Sequence, residues 1–134
     1  MGPEEQHTAI KTSLSAYQEE LTVGDEAPEG IRLATEYIHN HLFDDDLTVR
    51  EVRQRLGLTD TAFSARFRRH HGYSPACYIR QLRVKAAKRL LQREHLLIAD
   101  IAFHVGYEHY RTFARVFKRV TGQSPKGYRN QFAT

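Results

Sequence analysis

The stretch AFSARFRRHHGYSP, residues 62–75, returns as TFARVFKRVTGQSP, residues 112–125. Six identities hold at a constant offset of 50: Phe63/Phe113, Phe67/Phe117, Arg69/Arg119, Gly72/Gly122, Ser74/Ser124 and Pro75/Pro125. Within each copy two phenylalanines stand four apart, the spacing that sets them on one face of a helix. A glycine follows, where a left-handed residue can end a helix at little steric cost. Ser-Pro then opens the next helix: serine caps it, and proline suits the first turn, where its missing N–H is harmless. Each copy reads as a helix, a stop and a new start.

Outward from the repeat, the flanks match as well. Val49, Val52 and Leu56 precede the first copy at helical spacing and end at Gly57; Ile98, Ile101, Ala102 and Val105 precede the second and end at Gly106. Thr48 opens the former helix in a TVRE capping box, with Glu51 placed to reach back. Thr59 is placed to cap the following helix, with Asp60 in its first turn. Between the copies, Ser74-Pro75 starts the longest helix, expected to run to Arg93. It is apolar on two faces, Ile79, Leu82, Ala86 and Leu90 on one and Val84, Ala87 and Leu91 on another, so it is packed on two sides. Two copies are too few for a solenoid, which needs about three. The expected fold is all-α: two helix-turn-helix subdomains joined by one long helix, about seven helices, plus an N-terminal helical extension.

The boundaries follow from the same signals. Residues 1–30 are expected to be an acidic extension and linker, and 31–134 a tandem unit. Within it the first helix-turn-helix covers 31–73, the joining helix 75–93 and the second helix-turn-helix 96–132. Residues 5–22 form a helix with Ile10, Leu14, Tyr17 and Leu21 as an apolar seam, and Pro28 and Gly30 punctuate the linker behind it. The seam has three uses: packing on the tandem unit, a short dimer through 5–22, or the remnant of a larger sensor. Packing or partner binding is favoured, because so short a segment makes a poor coiled coil. The next helix is expected from Ile31 to Leu42, ended by three aspartates at 44–46.

Charge divides the chain. Residues 1–46 hold two basic and eleven acidic residues, residues 47–134 eighteen basic and five acidic. A basic part of this kind is a candidate partner for a polyanion. A helix-turn-helix lays its second helix in the major groove of DNA, and the face opposite the phenylalanines must then carry the donors. In the second copy that stripe is Arg111, Ala114, Arg115 and Lys118; in the first it is Thr61, Ser64, Ala65 and Arg68. An arginine can take guanine O6 and N7 together, whereas Thr61 and Ser64 make shorter, less discriminating contacts. Arg50, Arg69, Lys118 and Arg119 are placed for phosphate. A joining helix over 75–93 is roughly 28 Å long, close to the ~34 Å between major-groove faces on one side of a duplex. One chain can thus hold helices 60–70 and 109–120 in adjacent grooves as a monomer.

DIAFHVGYEHYRTFARVFKRVTGQSPKGYR, residues 100–129, resembles the signature of the AraC/XylS family of bacterial transcription regulators: G-Y/F, then F-x-R-x-F-K-R, then G-x-S-P-x-x-Y/F-R. The first unit, 47–80, is similar to that family's more variable first motif, and the likeness covers about residues 31–132. It implies a seven-helix, two-subdomain unit that binds double-stranded DNA at promoters in the bacterial cytoplasm, at the nucleoid, most often as an activator touching RNA polymerase. By motif it assigns base reading to Thr61, Ser64 and Ala65 in the first unit and to Tyr110, Arg111 and Arg115 in the second. Two departures stand out. Ala65 replaces a longer reader, and His109 replaces a better cap, so the second reading helix is expected to start loosely. Many relatives carry a sensor domain ahead of this unit. Only about thirty residues precede it here, so control is expected from abundance, a partner or a further domain.

Other chemistries have little support. The eight histidines lack ligand spacing with a third partner, so no metal is expected. Cys77 is the lone cysteine and reads as a small packed side chain. No phosphate-cradling glycine loop or Ser-His-Asp order stands out, so neither cofactor nor enzyme activity is expected. No apolar run is long enough to span a membrane, and no secretory signal opens the chain. The competing class is a basic helical module that binds an acidic protein.

Overall fold

Ser74 and Ser124 both cap helices: the Ser74 hydroxyl accepts from the Cys77 amide at 3.3 Å and the Ser124 hydroxyl from the Gly127 amide at 3.0 Å. Gly57, Gly72 and Gly122 end the helices before them with φ of 66°, 82° and 83°. The computed structural model describes residues 2–132. Among these, eight helices and no strand occur: α1 Pro3–Glu20, α2 Glu29–Asn40, α3 Val49–Leu56, α4 Phe63–His71, α5 Pro75–Leu91, α6 Ile98–His104, α7 Tyr110–Thr121 and α8 Pro125–Asn130.

The repeat builds two matched cores. Phe63 and Phe67 lie 5.9 Å apart by ring centroid, Phe113 and Phe117 5.7 Å, and all four are fully buried. The next helix adds a third ring to each, Tyr78 at 5.4 Å from Phe67 and Tyr128 at 5.6 Å from Phe117, both T-shaped. Each buried phenylalanine contributes about 1.5–3 kcal/mol, and such edge contacts add about 0.5–1.5. Helix α5 packs against α4 on one side and against α6, α7 and α8 along its length, as its two apolar faces require. It ends at Leu91, two residues before the expected Arg93, and the Arg129 Nε from α8 donates to the freed Leu91 carbonyl at 2.8 Å.

Several local expectations change. Helix α2 runs Glu29–Asn40 rather than Ile31–Leu42, so Pro28 is its cap and Gly30 lies inside it. A Cβ at Gly30 would stand 3.3 Å from Leu58, a close approach that links α2 to the first turn. The capping box forms by half: the Thr48 hydroxyl accepts from the Glu51 amide at 3.1 Å, while the Glu51 carboxylate turns to the Tyr37 hydroxyl at 3.3 Å. Thr59 does not cap α4, which starts only at Phe63. Asp60 instead bends the chain locally, its Oδ1 accepting from the Ala62 amide at 2.8 Å. His109 makes no side-chain cap, yet α7 starts immediately after it, and the Thr112 and Phe113 amides both donate to the His109 carbonyl. The later helix start thus falls in the first unit.

Helix α1 spends its seam within the chain. Ile10, Leu14 and Tyr17 are buried against α5 and α6. Gln18 Nε2 donates to the His39 carbonyl of α2 at 2.8 Å, Glu20 pairs with Arg89 of α5 at 2.7 Å, and His7 approaches Asp100 of α6 at 3.9 Å. The apolar surface that a dimer through 5–22 would use is therefore already covered, and α1 spans from the first unit to the second.

Candidate nucleic-acid interface

Helix α7 buries Phe113 and Phe117 and turns Arg111, Arg115, Lys118 and Arg119 to solvent. Tyr110, its first residue, is 45% exposed and leans toward Phe113 at 6.3 Å. Ala114 is half-buried beside this stripe. Among the described residues, none of those four cations makes a side-chain hydrogen bond or ion pair within the chain. The same holds for Arg50, Arg68 and Arg69 in the first unit. A cation left unpaired and solvated meets an external anion without first breaking an internal contact.

The first unit presents a smaller face. Ser64, Ala65, Arg68 and Arg69 line one open groove of about 550 Å³ together with Gly72 and Ser74. Ser64 is half-buried, and Ala65, Arg68 and Arg69 are exposed. Thr61 is exposed too, but it lies in the turn before α4 rather than on the helix, so the expected helix over 60–70 is short by about a turn at its start. Arg68 and Arg69 occupy the last turn of α4, where positive charge meets the negative end of the helix dipole.

Other arginines that swell the basic count are structural. Arg53 donates Nε to the Leu58 carbonyl and Nη2 to the Asp60 carbonyl, both at 3.0 Å. Arg129 reaches the Leu91 carbonyl and, at 3.3 Å, that of Arg93. Arg66 pairs with Asp60, whose carboxyl is held below its ordinary value first by the Ala62 amide and then by Arg66. Sequence reasoning could not separate these from the solvated set, because a guanidinium fork satisfying two carbonyls has no spacing signature.

Two histidines of the first unit, His39 and His71, are also internal. His39 Nε2 and the Tyr78 hydroxyl share a hydrogen bond at 2.6 Å. The Thr35 hydroxyl donates to the Ile31 carbonyl at 2.7 Å, so at 2.8 Å it accepts from His71 Nε2. Burial lowers His39 and, with repulsion from His70 and His39, lowers His71 to about 4; burial pushes Tyr78 up to about 12. Among the described residues no three His, Cys, Asp or Glu side chains gather as metal ligands. Nor is any helix long and apolar enough to cross a membrane. Cys77 is half-buried on α5.

Two helix-turn-helix units on a common joining helix define the class of fold. Residues 52–131 match the family model described as a helix-turn-helix domain. The chain is 34% identical over 99 residues to the arabinose operon regulatory protein of Escherichia coli (strain K12), covering 74% of this chain and 34% of that protein. Among solved structures, the C-terminal domain of AraT, a response regulator from Geobacillus stearothermophilus, superposes with a TM-score of 0.74 at 30% identity, over 80% of this chain and 88% of that one. The DNA-binding domain of AdpA, a global transcriptional factor solved with a target DNA, shares the fold with a TM-score of 0.69 at 24% identity, over 78% and 94%. The chain belongs to the AraC/XylS family of helix-turn-helix transcription regulators. It spans about a third of the length of the arabinose regulator that it matches.

Proposed function

We propose that this chain binds double-stranded DNA site-specifically and regulates transcription, with α4 and α7 entering successive major grooves. The observation that carries this reading is the solvated face of α7, where Arg111, Arg115 and Lys118 project opposite two buried phenylalanines with no internal partner among the described residues. Helix α5 has 17 residues, so it is about 26 Å long, of the same order as the ~34 Å between major-groove faces on one side of a duplex. Arg111 and Arg115 read bases, with Tyr110 beside them. Ser64, Ala65 and Arg68 make the weaker contacts, and Thr61 approaches from the turn. Arg50, Arg69, Lys118 and Arg119 hold phosphates. The reading part spans residues 31–134, one chain covers both half-sites, and activation through RNA polymerase is the role that family membership favours.

Selection of sites from random duplex DNA tests this directly. The expected product is a two-part site, sharper in the half read by α7. If scrambled DNA competes as well as the selected site over a wide salt range, site-specific reading fails. Tight binding of an acidic protein in that case would install the interaction-module alternative.

A further inference from the structure

Arg83 lies at the middle of α5 and is only 7% exposed. Its Nε donates to the Leu42 carbonyl at 2.8 Å and its Nη2 to the Asp44 carbonyl at 2.7 Å. Both acceptors belong to the segment that follows α2, in the first unit. The guanidinium also lies over the ring of Tyr107, with Cζ 5.2 Å from the centroid. Gly106 closes the same side: a Cβ there would stand 2.7 Å from Cζ. Gly106 and Tyr107 form the turn of the second helix-turn-helix, with Gly106 at φ +108°. One side chain on the joining helix therefore touches the backbone of the first unit and the turn of the second.

The chemistry of this contact is directional. Among the described residues no carboxylate forms an ion pair with Arg83, and its two hydrogen bonds go to carbonyls with fixed lone-pair directions. Burial lowers its pKa, but an arginine remains charged, and a buried charge holds to the geometry that solvates it. The planar fork fixes the joining helix against the first unit, while the flat face of the guanidinium seats the second unit's turn. Gly57, the matching turn glycine of the first unit, has open space around it. This seat exists in one unit only.

We propose that Arg83 is a positioning residue that sets the rotation of the second unit relative to the first, and thereby the half-site spacing the protein accepts on DNA. The spacing clause rests on the DNA-binding reading above; the rotation clause does not. One added base pair turns the far half-site by about 35°, which a rigid pair of heads cannot follow and a loosened pair can.

Two measurements decide it. Spin labels at R55C and K126C, both exposed positions one in each unit, are read by pulsed dipolar spectroscopy in a C77S background without DNA. The parent is expected to give one narrow distance distribution, R83M one about twofold broader, and R83K an intermediate one, because lysine keeps the charge but not the fork. In parallel, the selected site is tested with one base pair inserted or deleted between its halves. The parent is expected to lose about tenfold or more in affinity for each change, and R83M to bind all three spacings within about threefold, with single-base discrimination inside each half intact. A parent-like distance distribution in both variants overturns the proposal. So does a spacing series that falls in parallel with the parent's while binding weakens uniformly. Cooperative loss of fold in both R83M and R83K would mark a core-stability role and overturn it as well. If the parent selects no site, the DNA reading fails and the distance distributions still decide the rotation.

Discussion

In the second unit α7 begins at Tyr110, three residues before its first buried phenylalanine; in the first unit α4 begins on the phenylalanine itself, Phe63. The frames are otherwise the same, down to the third aromatic ring contributed by the following helix. The difference arises in the turn. Five residues separate Gly57 from Phe63, and six separate Gly106 from Phe113. The Leu58 amide donates to the Arg53 carbonyl and the Tyr107 amide to the Ala102 carbonyl, so Arg53 and Ala102 hold equivalent places. Arg53 forks onto the carbonyls of Leu58 and Asp60 and keeps that turn out of helix, and Asp60 bends back to the Ala62 amide. Ala102 offers no such fork, and the buried Tyr107 anchors the second turn from inside. A duplicated frame can thus carry two second helices of unequal length, and the longer one bears Arg111 and Arg115.

The shared frame breaks at its phenylalanines. Phe67→Ala and Phe117→Ala are each expected to cost about 3–5 kcal/mol, measured by urea unfolding. A loss confined to one of them would show that the two cores are not equivalent. The unequal faces are tested next. Arg115→Ala is expected to cost about 1–3 kcal/mol at one or two base pairs of a selected site, while Ser64→Ala costs less than about 1. Equal weakening on every sequence would make Arg115 a phosphate contact, and a larger loss at Ser64 would reverse the ranking of the heads. The turn comes third: Arg53→Met is expected to cost about 1 kcal/mol of stability and to speed amide exchange at Ala62 and Phe63, with no change at Tyr110 to Phe113. Unaltered exchange at Ala62 would remove Arg53 from the account of the late helix start.

The smallest effect is acid sensitivity at His71 in the first unit. His71 has a folded pKa of about 4 against 6.5 in the open chain, so the folded state binds fewer protons between these values. Its contribution is complete above pH 6.5 and is lost as pH falls from 6.5 toward 4. Discounted for its partial exposure, the loss is under about 1 kcal/mol. Thermal melts from pH 7 to 5 are expected to fall less steeply in His71→Asn than in the parent. Parallel curves would place the acid sensitivity elsewhere.

Much of the fold was legible because its signals are local. Ser74, Ser124, Gly57, Gly72 and Gly122 act through the next few residues, and phenylalanines four apart face inward wherever the helix lies. The outward stripe of α7 follows from the same periodicity, so Arg111 and Arg115 could be placed on its exposed side by counting. Thr59 misled, because a threonine before an apolar stripe looks like a cap whatever the turn does. Arg53, Arg83 and Arg129 misled through charge: each counted toward a basic surface, and each forks onto backbone carbonyls of a neighbouring segment.

The amino-acid sequence by itself determined the helices, most of their stops and starts, the twofold frame and the faces that α4 and α7 turn outward, because these depend on residues within a turn or two of one another. Only the tertiary structure decided which cations remain solvated, where α4 starts, that α1 covers its own seam, and that one buried arginine sits between the units. Those outcomes depend on which carbonyls and rings lie within about 3–5 Å across distant stretches of chain, and reach of that kind is fixed only once the helices have packed.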